Sequence, residues 1–244
     1  MSKVVLFGGN SALGLATASR IMETRAEVTS CLRISRSNDS DICWNPIDST
    51  SAQKTLDSIS FDKNDICIIA LGQLGTIGGL LTNEAFDFDG EIENIFWINS
   101  LLPLQIFFSV VHKLKSAGGG TIVVFSSTAA HPVLATNAVY GRSKSFLEGV
   151  VTDFISLNRD EFKNGVQVSI VLPGFVATPM NLGRTPTLFS TSVEHVAESV
   201  ACNLGRKIIW VPRIFQVVEM FLILPPLKKL AALLVLKSTQ NKIS

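Results

Sequence analysis

The chain has 244 residues, 47% of them hydrophobic, which is enough to bury the core of one α/β domain. Its 21 basic and 20 acidic side chains nearly cancel, so overall charge gives no sign of a nucleic-acid partner. The four cysteines are scattered, which argues against a disulfide scaffold. No uncharged apolar run reaches the length of about 20 residues that a transmembrane helix needs, and the absence of a secretory signal pattern argues against secretion. We therefore expect a cytoplasmic protein, soluble or peripheral to a membrane.

A glycine-containing turn follows the first predicted strand, Lys3–Phe7. The turn reads GGNSALG and leads into a segment with helical periodicity. Strand, glycine turn and helix is the arrangement in which backbone N–H groups at a helix N-terminus receive a phosphate. A tight turn whose glycines serve packing alone is the alternative. The candidate phosphate-binding residues are Gly8, Asn10, Ser11, Leu13 and Gly14.

Cationic side chains follow the second predicted strand, Glu27–Leu32. Arg33 comes directly after it, with Ser35 and Arg36 close behind. Guanidinium groups bind phosphate well, so this segment is a candidate contact for a phosphorylated ligand. Arginines on a solvated loop are the alternative.

A buried strand and a long helix are predicted next. Asp65–Leu71 is continuously apolar, as expected for a parallel sheet covered on both faces, and it is followed by Gly72. Glu91–Lys115 has helical periodicity, with Asn99 in its middle. Asparagine competes for backbone hydrogen bonds inside a helix, so a specific role or an exposed position is needed to explain it.

A serine, a tyrosine and a lysine follow the next strand, Thr121–Phe125. Ser127 comes two residues after this strand, and Tyr140 and Lys144 lie near the start of the predicted helix Asn137–Ile155. The spacing of four places the phenol and the ammonium group on one helix face, where a cation favours the phenolate and allows proton exchange near neutral pH. A chance pair with a solvated lysine is the alternative.

The remaining elements complete an alternating α/β pattern. Val166–Leu172 reads as a buried strand and leads into Pro173–Met180. Residues 181–190 have no clear period and are expected to form a substrate lid. Thr191–Glu194 reads as a capping box that opens a helix, and Lys207–Val211 as a last strand. Seven strands alternating with helices predict one doubly wound parallel sheet, the Rossmann arrangement, over residues 1–212.

These motifs resemble those of short-chain dehydrogenases/reductases, and the resemblance covers residues 3–211. It rests on the glycine turn, on the serine and the Y-x-x-x-K pair, and on the P-G-x-V-x-T stretch from Pro173 to Thr178. Ala12 replaces the middle glycine of the family's turn, and Ala70–Gln73 replaces its Asn-Asn-Ala-Gly motif. The resemblance implies an NAD(P)-dependent enzyme that reduces a keto group to a secondary alcohol.

The resemblance also implies a role for each site residue. Tyr140 protonates the carbonyl oxygen, Ser127 holds it, Lys144 lowers the tyrosine pKa and binds the nicotinamide ribose, and Asn99 completes a proton relay through a water. Further cofactor contacts are implied for Arg33, Asp48, Ala70, Gly72, Tyr140, Lys144, Pro173, Gly174, Val176 and Thr178. No metal site is assigned.

Two of these residues bear on whether the cofactor is NADP(H) or NAD(H). Arg33 stands where an acidic residue would select NAD(H), so we expect NADP(H) to be preferred. Asp48 matches an aspartate that contacts the adenine edge, although capping the predicted helix Ser49–Ile59 is the alternative, and both can hold.

Residues 213–244 form a predicted helical extension with a distinct charge. Residues 205–244 carry seven basic and one acidic side chain, whereas the first 204 residues carry 14 and 19. One interpretation is a helix docked on its own domain or on a second subunit. The other is an interfacial helix pair whose lysines lie near anionic lipid. The apolar residues Ile214, Val217, Val218, Phe221 and Leu222 share one face, and Lys228, Lys229 and Lys237 flank the second apolar run.

Three alternatives for the function remain open. Ala70–Gly75, the run NAVYGRSK and the Trp210–Pro212 ending resemble family members that reduce a 2-keto pentose attached to a polyprenyl phosphate. That reading implies a lipid-linked sugar substrate at the inner face of a membrane. A general carbonyl, acyl or steroid reductase with a small-molecule substrate and an NADP(H)-sensing regulatory protein are the alternatives. The apolar faces of the two long helices suggest a homodimer or homotetramer.

Overall fold

Seven parallel strands form one sheet in a computed structural model of the protein, which describes residues 1–45, 49–75, 90–131, 137–162, 165–181 and 190–217. The strand order is β3-β2-β1-β4-β5-β6-β7, and every neighbouring pair is parallel. The predicted doubly wound sheet is therefore confirmed. The strands are β1 (Ser2–Phe7), β2 (Val28–Ser35), β3 (Ile42–Cys43), β4 (Asp65–Ile69), β5 (Gly120–Phe125), β6 (Val166–Pro173) and β7 (Ile208–Val211).

Helices connect the strands and cover both faces of the sheet. The α-helices are α1 (Ala12–Thr24), α2 (Ser49–Ser58), α3 (Glu91–Phe96), α4 (Leu102–Ser116), α5 (Ala138–Leu157), α6 (Arg159–Phe162) and α7 (Val193–Cys202). Two 3-10 turns, Thr128–Ala130 and Pro179–Asn181, follow β5 and β6.

The core has two layers, one on each face of the sheet. Alternate residues of β4 show the division, because Cys67 and Ile69 belong to one hydrophobic cluster and Ile66 and Ile68 to the other. The first cluster includes residues of α2, α4 and α5, and the second includes residues of α1 and α7. Burial on both faces explains the nearly continuous apolar sequence of these strands.

The long helix predicted from Glu91 to Lys115 is interrupted. A π-helical turn, Trp97–Leu101, separates α3 from α4 and contains Asn99. Among the described residues, the stretch Glu91–Ser116 is long and apolar enough to cross a membrane by length and composition alone. More than half of its most apolar window is buried within the protein, so we assign it to the core.

Strand β2 extends further than the sequence predicted. It ends at Ser35 rather than at Leu32, so Arg33 lies inside the strand. Tertiary pairing explains the difference, since Ile34 is aligned with Phe7 of β1 on one side and with Ile42 of β3 on the other. The carboxyl end of β2 therefore presents Ser35 and then Arg36.

The helix cap of α7 is also shifted by one residue. Ser192, not Thr191, is the N-cap, and its Oγ accepts a hydrogen bond from the backbone N–H of His195 at 3.1 Å. Thr191 instead forms a parallel bridge with Val176 and donates its N–H to the carbonyl of Phe175. This bridge ties the start of α7 to the segment after β6.

The described chain ends at Val217, at the start of the predicted extension. A helix begins at Ile214. Phe215 is buried in the first cluster, whereas Ile214 and Val217 are 42% and 46% exposed. The division of the chain at residue 212 stays a prediction, because residues 218–244 lie outside the described part.

One carboxylate joins the amino ends of two central strands. Asp65 is 1% exposed and accepts hydrogen bonds from the backbone N–H groups of Lys3 at 2.9 Å and Asp62 at 2.8 Å. Because Asp65→Ala leaves both donors without this acceptor, we expect it to lower the unfolding free energy by about 2–3 kcal/mol in urea titrations. Asp62→Ala, whose carboxylate is 79% exposed, should cost less than about 1 kcal/mol, and equal losses would contradict this account.

Candidate active site

The turn after β1 has, at Gly8, a backbone conformation and surroundings that only glycine tolerates. Gly8 has a φ of +93°, and a Cβ there would lie 2.6 Å from the carbonyl oxygen of Ala70. A Cβ at Gly14 would lie 2.8 Å from Leu6 Cδ1. These two glycines therefore let the turn and α1 approach β1 and the end of β4 closely.

The N-terminus of α1 opens at the carboxyl ends of β1 and β4. Ser11 is its N-cap, and its Oγ accepts a hydrogen bond from Gly14 N–H at 3.2 Å. The first turn of α1 has no acidic side chain, so its backbone N–H groups and its positive dipole end are available to an anion. The strand order reverses between β1 and β4, which is where such sheets bind ligands. The residues present therefore fit a dinucleotide phosphate.

The end of β2 lies beside this turn. Ser35 Oγ donates to Asn10 Oδ1 at 3.4 Å, and the exposed Arg36 follows directly. The Arg33 guanidinium instead contacts the backbone carbonyl of Asp39. The structure thus adds Arg36 as the cation that follows the strand end, while a cofactor role for Arg33 stays a prediction. Asp48 lies outside the described residues.

Ser127 is fixed at the end of β5. Its backbone is extended, it is 8% exposed, and its Oγ accepts a hydrogen bond from Ala129 N–H at 3.1 Å. The Ser127 hydroxyl also lies near the phenol of Tyr140 and interacts with it. The structure therefore brings together the serine and the tyrosine that the sequence separates by thirteen residues.

The helix cap of α5 places Tyr140. Asn137 is the N-cap, and its Oδ1 accepts from Tyr140 N–H at 3.0 Å while its Nδ2 donates to the carbonyl of Leu74 at 3.2 Å. Burial raises the pKa of Tyr140, because it desolvates the phenolate, and the interaction with Ser127 opposes this rise. Lys144 is not among the groups that shift the Tyr140 pKa, so the lowering expected from the lysine is not found.

Lys144 lies one helical turn beyond Tyr140 and is 2% exposed. Its Nζ donates to the carbonyl oxygens of Leu71 at 2.9 Å and Phe125 at 3.0 Å, near the carboxyl ends of β4 and β5. Burial lowers the pKa of Lys144 to about 7, since two neutral carbonyls do not fully replace water around an ammonium group. The lysine can therefore exchange a proton near neutral pH.

Asn99 explains the π turn in which it lies. Its side chain is fully buried and pairs with the backbone of Gln73, accepting from N–H at 2.7 Å and donating to the carbonyl at 2.8 Å. Its Nδ2 also donates to Ser143 Oγ at 3.0 Å, and Ser100 Oγ donates to the Ser143 carbonyl at 2.6 Å. Asn99 therefore joins the segment after β4 to α5. No sequence pattern had identified Ser143.

Gly72 marks the point where these groups meet. A Cβ at Gly72 would lie 3.4 Å from Met180 Cε, 3.7 Å from Lys144 Nζ and 3.8 Å from Asn99 Oδ1. Met180 is 44% exposed and belongs to the 3-10 turn after β6. The segment from Pro173 to Thr178, which includes Gly174 and Val176, thus lies at the same edge of the sheet as Ala70 and the glycine turn.

This arrangement defines a class of protein: a doubly wound dinucleotide-binding domain with a phenol, a hydroxyl and a buried amine at the carboxyl ends of its strands. Residues 2–188 match the sequence model of the family described as short chain dehydrogenase. The chain belongs to this family and is an NAD(P)-dependent oxidoreductase.

Curated relatives extend along most of the chain. An uncharacterized oxidoreductase of Mycobacterium tuberculosis (strain H37Rv) is 27% identical over 225 residues, covering 86% of this chain and 88% of the relative. A ketoacyl reductase of Nostoc is 27% identical over 188 residues, covering 71% and 63%. The very-long-chain 3-oxoacyl-CoA reductase of Rattus norvegicus is 26% identical over 219 residues, covering 82% and 68%.

Solved structures agree with the fold. A short chain dehydrogenase from Burkholderia cenocepacia, crystallised with NADP, matches with a TM-score of 0.74 at 17% identity, and covers 96% of this chain and 97% of its own. At this identity the match bears on the fold alone.

The buried lysine predicts a pH dependence of stability. Folding lowers the pKa of Lys144 from the usual 10.5 to about 7, so between these values the unfolded chain binds a proton that the folded chain does not. Stability therefore rises with pH across this window. We expect the unfolding free energy of the wild type, relative to Lys144→Met, to rise by about 2 kcal/mol from pH 7 to pH 9 in urea titrations.

The exposed Lys54→Met is the matched control and should keep the wild-type slope. A wild-type slope that survives in Lys144→Met would show that another group causes it.

Proposed function

We propose that the protein reduces the keto group of its substrate to a secondary alcohol with NADPH. The observation that supports this most directly is the approach of the Ser127 hydroxyl to the Tyr140 phenol, one helical turn from a buried Lys144. Two neighbouring hydroxyl groups can both donate a hydrogen bond to a third oxygen placed between them. The site therefore suits a carbonyl oxygen on which negative charge develops.

The proton chemistry follows from these residues. The nicotinamide, when bound, supplies a hydride to the carbonyl carbon. Ser127 donates a hydrogen bond to the carbonyl oxygen and fixes its position, because its own rotamer is held by Ala129 N–H. Tyr140 transfers its phenolic proton to the same oxygen as the C=O π bond breaks, which yields the alcohol and a phenolate. Its raised pKa keeps the phenol protonated and ready to act as an acid.

The tyrosine must then regain a proton. Lys144 lies one turn away, and its pKa of about 7 allows its ammonium group to release a proton at neutral pH. Asn99 holds the backbone of Gln73 beside this group. We assign Lys144 the role of proton donor to the phenolate and Asn99 the role of positioning the segment after β4, on the path to solvent.

The cofactor preference follows from the end of β2. Ser35 and the exposed Arg36 lie beside the glycine turn, and no acidic side chain occupies either position. A guanidinium and a hydroxyl suit the 2′-phosphate that distinguishes NADP(H) from NAD(H). This supports NADP(H) as the preferred cofactor.

For the substrate, we propose the 2-keto pentose of a polyprenyl-phosphate sugar. Support comes from Ala70–Gly75, which departs from the common family motif, and from the basic, apolar extension after residue 212. The described start of this extension exposes Ile214 and Val217. A membrane-held substrate would give these residues a lipid surface to contact, at the cytoplasmic face of the membrane.

A second candidate is a 3-oxoacyl reductase. Two relatives, from Nostoc and Rattus norvegicus, are named as a ketoacyl reductase and a 3-oxoacyl-CoA reductase. The chemistry at Tyr140 would be the same, and only the group beside the carbonyl would differ.

Turnover of a substrate panel separates these candidates. NADPH oxidation is measured with a 2-keto pentosyl polyprenyl phosphate in detergent, with acetoacetyl-CoA and with an aryl ketone. The first proposal predicts a kcat/KM for the lipid-linked sugar at least about tenfold above the others. Preference for acetoacetyl-CoA would support the second candidate, and NADPH binding without turnover of any ketone would support a sensing role instead.

We also propose that the protein forms a homodimer or homotetramer through α4 and α5. Leu101, at the start of α4, and Phe108 are 45% and 40% exposed, and Phe146 of α5 is 47% exposed. These are large apolar side chains on neighbouring helices, where a second copy would cover them. Sedimentation of the purified protein should give a mass of two or four chains, and a monomer would contradict the proposal.

A further inference from the structure

A carboxylate lies on the same helix as the tyrosine and the lysine but has no place in the reaction described above. Glu148 follows Lys144 by four residues on α5, so Tyr140, Lys144 and Glu148 line one face of the helix. The Glu148 side chain is only 15% exposed. One of its oxygens, Oε2, accepts a hydrogen bond from Ser126 Oγ at 3.0 Å. The other, Oε1, lies 3.4 Å from His131 Nε2.

These two contacts lie at the two ends of the segment Ser126–His131, which contains Ser127. Ser126 directly precedes Ser127, is 3% exposed, and donates its backbone N–H to the carbonyl of Val171 in β6 at 2.8 Å. His131 ends the 3-10 turn after Ser127, and its ring packs on Trp210 of β7 with centroids 4.9 Å apart. One carboxylate therefore holds both ends of a six-residue segment.

We propose that Glu148 is a positioning residue that fixes Ser127 relative to Tyr140; this inference rests on the proposed function of Ser127. Neighbouring side chains point in opposite directions in an extended backbone, and Ser127 has extended angles. The hydrogen bond from Ser126 to Glu148 thus fixes the orientation of the backbone at the end of β5. This orientation directs the Ser127 side chain toward Tyr140. Because Glu148 and Tyr140 belong to one rigid helix, α5 determines the position of both hydroxyl groups.

The carboxylate suits this role better than a neutral side chain would. One of its oxygens accepts a hydrogen bond from the Ser126 hydroxyl, and the other lies near the imidazole of His131. Partial burial of a carboxylate costs less free energy when such partners surround it. Loss of the carboxylate would remove one contact from each end of the segment, and a small shift of a catalytic hydroxyl is enough to slow a reaction by about 10²-fold.

A double-mutant cycle between Glu148 and Ser127 tests this inference. Glu148→Ala is expected to lower kcat by about 10- to 100-fold on the best ketone of the panel, with the NADPH Kd, read by its fluorescence, within about twofold of wild type. In a Ser127→Ala background the same change should lower kcat less than about threefold further, because Glu148 acts through Ser127. Glu148→Gln keeps an oxygen acceptor for Ser126 and should retain kcat within about threefold.

The exposed Asp153→Ala, on the same helix, is the matched control for loss of a carboxylate and should leave kcat unchanged. An equal loss from Glu148→Ala in both backgrounds, or a wild-type kcat in that variant, would overturn the inference.

A second measurement does not depend on turnover. Backbone hydrogen exchange of the peptide that spans Ser126–His131 should be faster in Glu148→Ala and close to wild type in Glu148→Gln. Unchanged exchange in Glu148→Ala would overturn the inference even if no ketone is reduced. Conversely, absence of turnover in the wild type, together with faster exchange in this variant, would remove the proposed function and leave the positioning contact intact.

Discussion

Replacement of Tyr140 by phenylalanine is expected to lower kcat by about 10²–10⁴-fold while the NADPH Kd stays within about twofold of wild type. The phenol is the group that the structure places beside the Ser127 hydroxyl. Without its proton, the alkoxide that forms on hydride addition has only the serine hydroxyl to stabilise it. Phenylalanine keeps the ring, so packing at the start of α5 is preserved.

Stopped-flow NADPH oxidation on the best ketone of the panel measures kcat, and fluorescence titration measures cofactor binding. Arg142→Ala is the control, since Arg142 is exposed on α5 only two residues away. Near-normal reduction by Tyr140→Phe would show that another group protonates the carbonyl oxygen. A parallel loss of NADPH affinity would instead indicate that the variant disturbs the cofactor site.

Replacement of Arg36 by aspartate is expected to raise the NADPH Kd by about 100-fold and to leave the NADH Kd within a few-fold. Arg36 is exposed and directly follows Ser35, the last residue of β2, whose hydroxyl contacts Asn10 of the glycine turn. Charge-assisted hydrogen bonds contribute about 1.5–3 kcal/mol, which corresponds to roughly 10- to 100-fold in affinity, and a carboxylate adds repulsion of the phosphate. Fluorescence titration with both cofactors gives the selectivity directly.

Arg33→Ala separates this assignment from the one made on sequence. The Arg33 guanidinium is already held by Asp39, so its loss should change the NADPH Kd less than about threefold. If Arg33→Ala and not Arg36→Asp lowered NADPH affinity, the sequence-based choice would be correct. Equal affinity for both cofactors in the wild type would contradict an NADP(H) preference altogether.

The sequence predicted the architecture well because its strands are buried on both faces. Continuous apolar runs such as Ile66–Ile69 are compatible with few structures other than a strand buried on both faces, and the strands alternate with periodic helices. The end of β2 was predicted less well. Its last residues are stabilised by pairing with β1 and β3, which local composition does not reveal.

The site residues were predictable where spacing along one helix determines the geometry. Tyr140 and Lys144 are four residues apart on α5, so their common face follows from helix geometry alone. The partners of Asn99 were not predictable, because Gln73 and Ser143 are 26 and 44 residues away in the chain. Glu148 was missed for the same reason: it is four residues beyond the lysine, but its partner Ser126 lies in another element.

The pKa values show why chemistry is harder to predict than position. Spacing suggested that the lysine would lower the pKa of Tyr140, yet burial raises it and lowers the pKa of Lys144 to about 7. Both directions follow from desolvation of the charged form, which depends on the packed structure and not on sequence separation. Both shifts agree with the proposed roles, in which Tyr140 donates a proton at neutral pH and Lys144 supplies its next one.

Transfer of deuterium from NADPH that carries deuterium at both hydrogen positions of the nicotinamide C4 tests the central claim most directly. Hydride transfer to a carbonyl predicts one deuterium on the carbinol carbon of the alcohol product, at a rate that falls about 10²–10⁴-fold in Tyr140→Phe. The product is identified by mass spectrometry with the ketone that gives the highest turnover. Alcohol that forms without deuterium at that carbon, or label transfer at an undiminished rate in Tyr140→Phe, would contradict the account.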